Sequence, residues 1–229
     1  MNHIPDLEIL CLRHGKTNYT EKFPDLTPDG ILHVRKVATE TVLPWILKHG
    51  INPRVLGIVA SPAPRALGTA ANVAEVIGYQ GKILPQGEIG PMARRDSVRA
   101  ALVYRDLRAG KQYVSYETDP AFRDRTIFET PPEVRARWYA FLADYIRCAR
   151  IHGPRHMIFV SHYEVLCNIV HDLFGIVASE PAELRHAEPI FLSVSDYAPS
   201  VSVIISGQFR GKEALGVLDL WDHSFERRL

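Results

Sequence analysis

The sequence predicts an α/β fold, a three-layer α/β/α sandwich around a mostly parallel sheet. Apolar runs too short for helices span residues 8–12, 55–60 and 157–160, and each ends at a polar turn, as strands buried on both faces do. Helical patterns lie between these runs, and strands that alternate with helices are typical of a parallel sheet. With 229 residues, of which 46% are hydrophobic, the chain is long enough for a single domain over 1–229.

Four helices are predicted from apolar spacing, and they cover residues 30–49, 65–77, 132–151 and 164–174. Pro44 is expected to kink or break the first helix. The second and fourth end at Gly78 and Gly175, since glycine commonly follows the last turn of a helix. The third turns one apolar face to the core, and this face consists of Val134, Trp138, Phe141, Leu142, Tyr145 and Ile146.

Residues 92–130 lack a strong periodicity and are predicted to form a partly helical lid or inserted lobe. Their arginines either contact a second anionic group of a ligand or form a solvated helical face; they are Arg94, Arg95, Arg99, Arg105 and Arg108. Two more strands are expected after residue 181, over 189–195 and 200–206, with the second at an edge of the sheet.

Charge and cysteine usage narrow the function classes. The formal net charge is +1, so no global field attracts nucleic acid or an anionic membrane, and a small molecule is the expected partner. Cys11, Cys148 and Cys167 form neither a CxxC pair nor a metal-ligand spacing, which favours a reducing compartment. Without a signal-peptide pattern or a membrane-length apolar run, the protein is expected to be cytoplasmic; its oligomeric state is not indicated.

The stretch LCLRHGKT, residues 10–17, ends like a nucleotide-binding P-loop but does not fit one. A P-loop needs a glycine five residues before its Gly-Lys, and Leu10 occupies that position inside a predicted strand. Without a flexible loop, the backbone amides cannot wrap around phosphates. The arginine, histidine and glycine at the end of this strand are therefore not part of a P-loop.

Arg13 and His14 at this strand end predict a phosphate site that contains a nucleophile. A neutral imidazole can attack phosphorus, and a neighbouring guanidinium neutralises the charge that repels the attack. The second predicted strand is followed by Arg65 near the start of a helix, where amides and dipole favour anions. The third is followed by His162, and parallel strands bring their carboxyl ends to one edge.

Four segments together resemble the histidine phosphatase superfamily, which includes the cofactor-dependent phosphoglycerate mutases. They are LRHGKT, LTPDG over 26–30, SPAPRALGTA over 61–70 and VSHYEV over 160–165, and they occur in the order typical of that family. The resemblance implies a phosphoglycerate mutase-like fold. It also implies that His14 accepts the phosphoryl group, that Arg13, Arg65 and His162 hold it, and that no metal ion or cofactor takes part.

The proton donor to the leaving alcohol is left open among three candidates. In the family a glutamate after the second helix supplies the proton, and Glu88 lies at about that place, although its spacing to Gly90 departs from the pattern. Glu164, two residues after His162, is the competitor, with capping of its own helix as the alternative role. A residue of the 92–130 segment is the third candidate.

Departures from the family pattern concern the substrate side of the site. Lys16 replaces an acidic or amide residue, Thr20 replaces an asparagine, and Tyr163 replaces a glycine, where it either narrows the pocket or packs beneath the loop. The candidate substrate-binding residues are Thr17, Asn18, Thr20, Tyr163 and Glu164.

The leading functional hypothesis is a phosphoric monoester hydrolase that forms a phosphohistidine and acts on a small phosphorylated metabolite. One alternative is a phosphoglycerate-mutase-type phosphotransferase, which the changes at Lys16 and Thr20 disfavour. The other is a non-catalytic protein of the same fold that binds a phosphorylated ligand.

Overall fold

A computed structural model of the chain describes residues 7–18, 24–109, 119–152, 154–176, 184–197 and 201–228. Within these ranges the strands form one sheet in the order β3-β2-β4-β1-β5-β6-β7-β8. The strands are β1 (Leu7–Arg13), β2 (Gly57–Ala60), β3 (Ile83–Pro85), β4 (His156–Ser161), β5 (Pro189–Tyr197), β6 (Ser202–Phe209), β7 (Lys212–Asp219) and β8 (Phe225–Arg228).

The α/β class is confirmed, but the description of the sheet as mostly parallel needs correction. Strands β1 to β4 pair in parallel, whereas β1–β5, β5–β6, β6–β7 and β7–β8 are antiparallel pairs. A tight turn at Arg210 and Gly211, both with positive φ, joins β6 to β7. The strand predicted at an edge, now β6, therefore lies inside the sheet, and β3 and β8 are the edges within the described part.

The helices are α1 (Pro28–Val37), α2 (Leu43–Lys48), α3 (Pro64–Ile77), α4 (Ser97–Ala109), α5 (Pro131–His152) and α6 (Tyr163–Phe174). A π-helical turn over Ala38–Val42 joins α1 to α2, so the helical path continues where a kink or break at Pro44 was predicted. Pro44 lies in the first turn of α2, directly after the π-helical turn, and its ring nitrogen cannot donate to a carbonyl of that turn.

The helices form two layers, one on each face of the parallel strands. Leu10 and Leu12 of β1 pack with residues of α1 and α3, whereas Ile9 and Cys11 pack with α5 and α6. This division follows from the alternation of side chains along a strand. The predicted core face of α5 is confirmed, because Trp138 and Leu142 are fully buried in the layer that α5 and α6 form.

The 92–130 segment contains α4 and a 3₁₀ turn over Pro120–Arg123, and residues 110–118 lie outside the described ranges. Phe122 and Phe128 are buried in the same hydrophobic cluster as α5, and Arg94 and Phe128 form an isolated β-bridge near the ends of the segment. The description of this segment as a lid stays a prediction. None of the described helices combines the length and the apolar character needed to cross a membrane.

The sheet register brings the ends of the parallel strands together. Arg13 of β1 pairs with Ser161 of β4, and Ala60 of β2 pairs with Val160 of the same strand. The residues that directly follow these strands, His14, Ser61 and His162, therefore lie at one edge of the sheet.

Candidate active site

His14 directly follows β1 and is buried, with 2% of its surface exposed. Its backbone N–H donates to the Ser161 carbonyl at 2.9 Å. Its Nδ1 lies 2.8 Å from the Gly15 carbonyl oxygen, and its Nε2 lies 3.2 Å from Nε of Arg65. Because a guanidinium only donates, Nε2 is the acceptor and the ring proton is on Nδ1. His14 is therefore a neutral imidazole with its lone pair on Nε2.

The electrostatics of the site favour this neutral form. Burial lowers the pKa of His14 to about 2, against the raising effect of the Gly15 carbonyl, and the charges of Arg65 and Arg13 lower it further. A protonated imidazole has no free lone pair for attack at phosphorus. The surroundings of His14 thus keep its Nε2 in the nucleophilic state.

Arg65 connects the two histidines that follow β1 and β4. It lies in the first turn of α3, after Pro64, and is 9% exposed. Its Nε donates to His14, and its Nη2 donates to Nδ1 of His162 at 3.1 Å. The two imidazole rings lie 5.1 Å apart, centroid to centroid. One guanidinium at a helix N-terminus therefore provides donors on both sides of the space between the rings.

His162 is also held in a single tautomer. Its Nδ1 accepts from Arg65, so its Nε2 carries the proton and donates to Oγ of Ser61 at 2.8 Å. Ser61 Oγ also accepts from the backbone N–H of Ala63 at 3.2 Å, which ties this contact to the start of α3. Burial, and then the positive charge of Arg65, keep the pKa of His162 well below its ordinary value.

Thr69 and Gly30 fix the loop after His14. The Gly15 N–H donates to Oγ1 of Thr69 at 2.9 Å, and Thr69 donates to the Arg65 carbonyl at 2.7 Å. A Cβ at Gly30 would lie 2.2 Å from the carbonyl oxygen of Lys16, so only glycine permits this close approach. These contacts explain why LTPDG and the threonine in PRALGT accompany the histidine.

Arg13 is held from three sides. Its Nη1 donates to the Leu184 carbonyl at 2.6 Å, its Nη2 lies 3.4 Å from Nε2 of His186, and its Cζ lies 5.3 Å from the Tyr163 ring centroid. Its buried Nε has no hydrogen-bond partner among the described residues. A buried donor in this state is open to an acceptor from a ligand.

The sequence profile of the histidine phosphatase superfamily (branch 1) matches residues 9–204 of the chain. The chain belongs to this superfamily. A sequence comparison with curated proteins finds no significant match. Family membership agrees with an activity of the phosphatase or mutase kind, and the suspected resemblance is confirmed.

Solved structures show the same fold as this histidine phosphatase family member. A mycobacterial hydrolase 2 is 18% identical over 86% of this chain and 85% of its own, with a TM-score of 0.58. A mycobacterial glucosyl-3-phosphoglycerate phosphatase in complex with VO3 is 18% identical over 82% and 93%, with a TM-score of 0.54. A phosphoglycerate mutase from Bacillus anthracis is 15% identical over 95% of both chains, with a TM-score of 0.52. At these identities the likeness concerns the fold alone.

Glu88 and Glu164, the two candidate proton donors named individually, differ in their surroundings. Glu164 is half-buried, and its Oε1 accepts from the backbone N–H of Met92 at 3.1 Å, so it holds the start of the 92–130 segment. Glu88 is exposed in a 3₁₀ turn directly after β3. The next residue, Ile89, accepts from Oγ of Ser161 at 2.7 Å, which attaches this turn to the residue before His162.

The predicted substrate-binding residues are placed unequally. Thr17 is buried and its hydroxyl donates to the Asp25 carbonyl, which is a contact within the loop. Asn18 is exposed, and Thr20 lies outside the described residues. Tyr163 packs against Arg13, as expected for a side chain beneath the loop.

The arginines of the 92–130 segment contact other residues of the segment. Arg95 donates to the Arg125 carbonyl, and Arg99 donates to Asp124. Arg94 lies over the ring of Tyr104. These contacts favour the interpretation of a solvated helical face. The side chain of Arg108 lies outside the described residues, and no group of three His, Cys, Asp or Glu side chains in the described part is suited to a metal ion.

Sequence reasoning missed His186, whose ring lies 5.7 Å from that of His14. It lies just before β5, and because β5 runs antiparallel to β1, its amino end meets the carboxyl end of β1. The position of His186 before a predicted strand was a visible signal. The pairing of that strand with β1 was not visible, and without it the residue cannot be placed at the site.

Proposed function

We propose that this protein is a phosphoric monoester hydrolase that acts through a phosphohistidine on Nε2 of His14, with a small phosphorylated metabolite as its substrate. One observation carries the proposal. His14 is a buried, neutral imidazole whose Nε2 faces the Arg65 guanidinium, so a nucleophile and a phosphate-binding cation share one point of the site. A cytoplasmic location belongs to the same proposal, and the free thiols of Cys11, Cys148 and Cys167 agree with it.

In the first step Nε2 of His14 attacks phosphorus, and the bond from phosphorus to the leaving oxygen breaks. The lone pair that accepted from Arg65 then forms the N–P bond, so the Arg65 N–H needs a new acceptor, and a phosphoryl oxygen supplies it. Arg13 contributes its buried Nε–H in the same way. The leaving alkoxide takes a proton from Glu88, which is assigned here as the general acid.

In the second step water attacks the phosphohistidine. Glu88, now a carboxylate, takes a proton from the water as the new P–O bond forms and the P–N bond breaks. Inorganic phosphate leaves, and His14 returns to its neutral form with the proton on Nδ1. The Gly15 carbonyl accepts from this proton throughout and keeps the ring in place.

The test is to trap the phosphoenzyme. We expect the wild-type protein, quenched after incubation with a radiolabelled phosphomonoester, to carry acid-labile, base-stable phosphate, and the His14→Ala variant to carry none and to lose turnover. His171→Ala, at an exposed position of α6, is the matched control and is expected to label normally. A fully active His14→Ala variant would contradict the proposal.

The same assay separates the alternatives. Release of phosphate from a panel of phosphomonoesters without isomerisation of 3-phosphoglycerate supports the hydrolase. Isomerisation of 3-phosphoglycerate in excess of phosphate release would instead identify a mutase. Binding of orthovanadate without turnover of any phosphomonoester in the panel would identify a non-catalytic binding protein.

A further inference from the structure

We infer that His186 and Tyr163 are positioning residues for Arg13, which hold its guanidinium so that its Nε–H edge stays open to an anion beside His14. The inference rests on the proposed function in one respect only, the phosphoryl nature of that anion. It assigns a role to His186, which belongs to none of the motifs found in the sequence, and to Tyr163, where glycine is usual.

The three donor nitrogens of Arg13 differ in their contacts. Nη1 is committed to the Leu184 carbonyl at 2.6 Å, which fixes one side of the guanidinium. Nη2 faces His186 at 3.4 Å and carries two N–H groups, so one can contact His186 while the other remains available. The Nε–H, on the same edge as Nη2, is buried and has no partner among the described residues. This edge is the one available for a bidentate contact with an oxyanion.

His186 is a neutral acceptor. Because Arg13 only donates, Nε2 of His186 is the acceptor, and its proton is on Nδ1. Burial lowers the pKa of His186 to about 4, and the charges of Arg13, His33 and Lys16 act in the same direction. A neutral acceptor attracts the guanidinium, whereas a cation at this place would push it away.

Backbone contacts hold the segment that carries His186 in place. The N–H of Ala187 donates to the Arg13 carbonyl at 2.9 Å, and Ala187 is buried with a φ of 55°. Such a left-handed conformation is costly for alanine and persists only where the surroundings impose it. His33 also contacts the His186 carbonyl, at 3.2 Å. The backbone is thus held independently of the His186 ring, and the ring can be replaced without releasing the segment.

Tyr163 contacts Arg13 through its aromatic ring. Its ring lies below the Arg13 guanidinium, with Cζ 5.3 Å from the ring centroid, within the range of a cation–π interaction. Leu184 and His186 contact Arg13 from the segment before β5, and Tyr163 contacts it from the start of α6; all three leave the Nε–H uncovered. The bulky residue at the usual glycine position thus supports Arg13.

The experiment measures binding of inorganic phosphate and orthovanadate by calorimetry, together with kcat and KM, for His186→Ala, His186→Gln and His186→Asn. Without the acceptor, we expect His186→Ala to raise Kd and KM about 10-fold, in the range reported for removal of supporting contacts, with a smaller change in kcat. The Gln amide oxygen reaches about as far as Nε2 and is expected to restore binding. The Asn oxygen reaches only as far as Nδ1 and is not expected to restore it.

Controls and contrary outcomes follow from the geometry. His171→Ala removes an exposed imidazole of α6 that contacts Asp172, and is expected to bind phosphate like wild type. Tyr163→Leu removes the ring beside Arg13 and should bind phosphate more weakly than Tyr163→Phe, which keeps the ring. Equal phosphate binding by wild type and His186→Ala, or equal behaviour of the Gln and Asn variants, would overturn the inference.

The outcomes also distinguish this inference from the proposed function. If phosphate binding depends on the His186 acceptor but no phosphomonoester is hydrolysed, the positioning role holds and the hydrolase proposal fails. If phosphomonoesters are hydrolysed and His186→Ala leaves Kd and KM unchanged, the hydrolase holds and the positioning role fails.

Discussion

The Nε atom of Arg65 lies 3.2 Å from Nε2 of His14, so the cation of the site donates directly to the atom that is proposed to attack phosphorus. This one contact determines the tautomer of His14, because a guanidinium has no acceptor to offer. It also places a donor where a phosphoryl oxygen would lie after attack. The site therefore already has the orientation that the proposed reaction needs.

Replacement of Arg65 by lysine tests the value of this geometry. Lysine keeps the positive charge but cannot donate to His14 and His162 at once, because it has a single flexible ammonium group. We expect Arg65→Lys to lower kcat/KM by about 10²- to 10³-fold, the usual cost of losing one transition-state donor. Arg35→Lys, at an exposed ion pair with Glu75, is the matched control and should keep full activity. Retention of kcat/KM in Arg65→Lys would argue against a role in chemistry.

Amide variants of Glu88 and Glu164 test the assignment of the general acid. Glu88→Gln removes the acidic proton, so we expect the phosphorylation step, read as kcat/KM, to slow about 100-fold with an alkyl phosphate and little with p-nitrophenyl phosphate, whose leaving group needs no proton. Glu164→Gln keeps an oxygen that can accept from the Met92 N–H and should change both rates little. The reverse pattern would move the acid to Glu164.

Thr69 is expected to be important for stability because its hydroxyl makes two buried hydrogen bonds. Thr69→Val leaves the Gly15 N–H and the Arg65 carbonyl without this partner, and we expect the free energy of unfolding to fall by about 1–3 kcal/mol. Thr69→Ser keeps the hydroxyl and should lose less. The measurement is denaturant unfolding, and equal losses in the two variants would show that the hydroxyl contributes no more than the methyl group.

The depressed pKa of His14 predicts a dependence of stability on pH. The pKa is about 2 in the folded protein and 6.5 in the unfolded chain, so between these values the unfolded chain binds more protons. The stabilisation from neutral His14 is therefore complete above pH 6.5 and is lost as pH falls below it. Between pH 7 and pH 5 this loss amounts to about 2 kcal/mol for one histidine.

The matching measurement is the free energy of unfolding of wild type and His14→Gln at pH 7 and pH 5. His14→Gln cannot be protonated, so its stability should fall less than that of wild type by about the amount contributed by one histidine. His162 and His186 remain in both proteins and contribute equally to the common decrease. Parallel losses in wild type and variant would contradict a buried neutral His14.

The fold was predictable where the sequence pattern is local. The apolar runs of β1, β2 and β4 and the faces of α3, α5 and α6 are visible because burial on both faces, or on one, leaves a periodic pattern. The antiparallel half was predicted incompletely. Lys212–Asp219 begins with charged residues and follows a turn at Arg210, which is not a typical hairpin residue, so β7 and β8 gave no clear signal.

For the candidate site, the residues at the ends of parallel strands could be located in advance. His14, Arg65 and His162 each follow or adjoin a buried strand, and parallel strands must end at one edge. His186 could not be located, since its place depends on the pairing of β5 with β1, a contact across about 180 residues of chain that no local pattern encodes.

The amino-acid sequence by itself determined the α/β class and the superfamily and indicated four residues of the candidate site, Arg13, His14, Arg65 and His162, because these depend on local periodicity and on short motifs. Only the tertiary structure decided how those side chains are used. Hydrogen bonds with Arg65 select the neutral tautomers of His14 and His162, and burial lowers the pKa values of both rings. Both effects require groups that are distant in the chain to come together and exclude water, so they arise only in the folded protein.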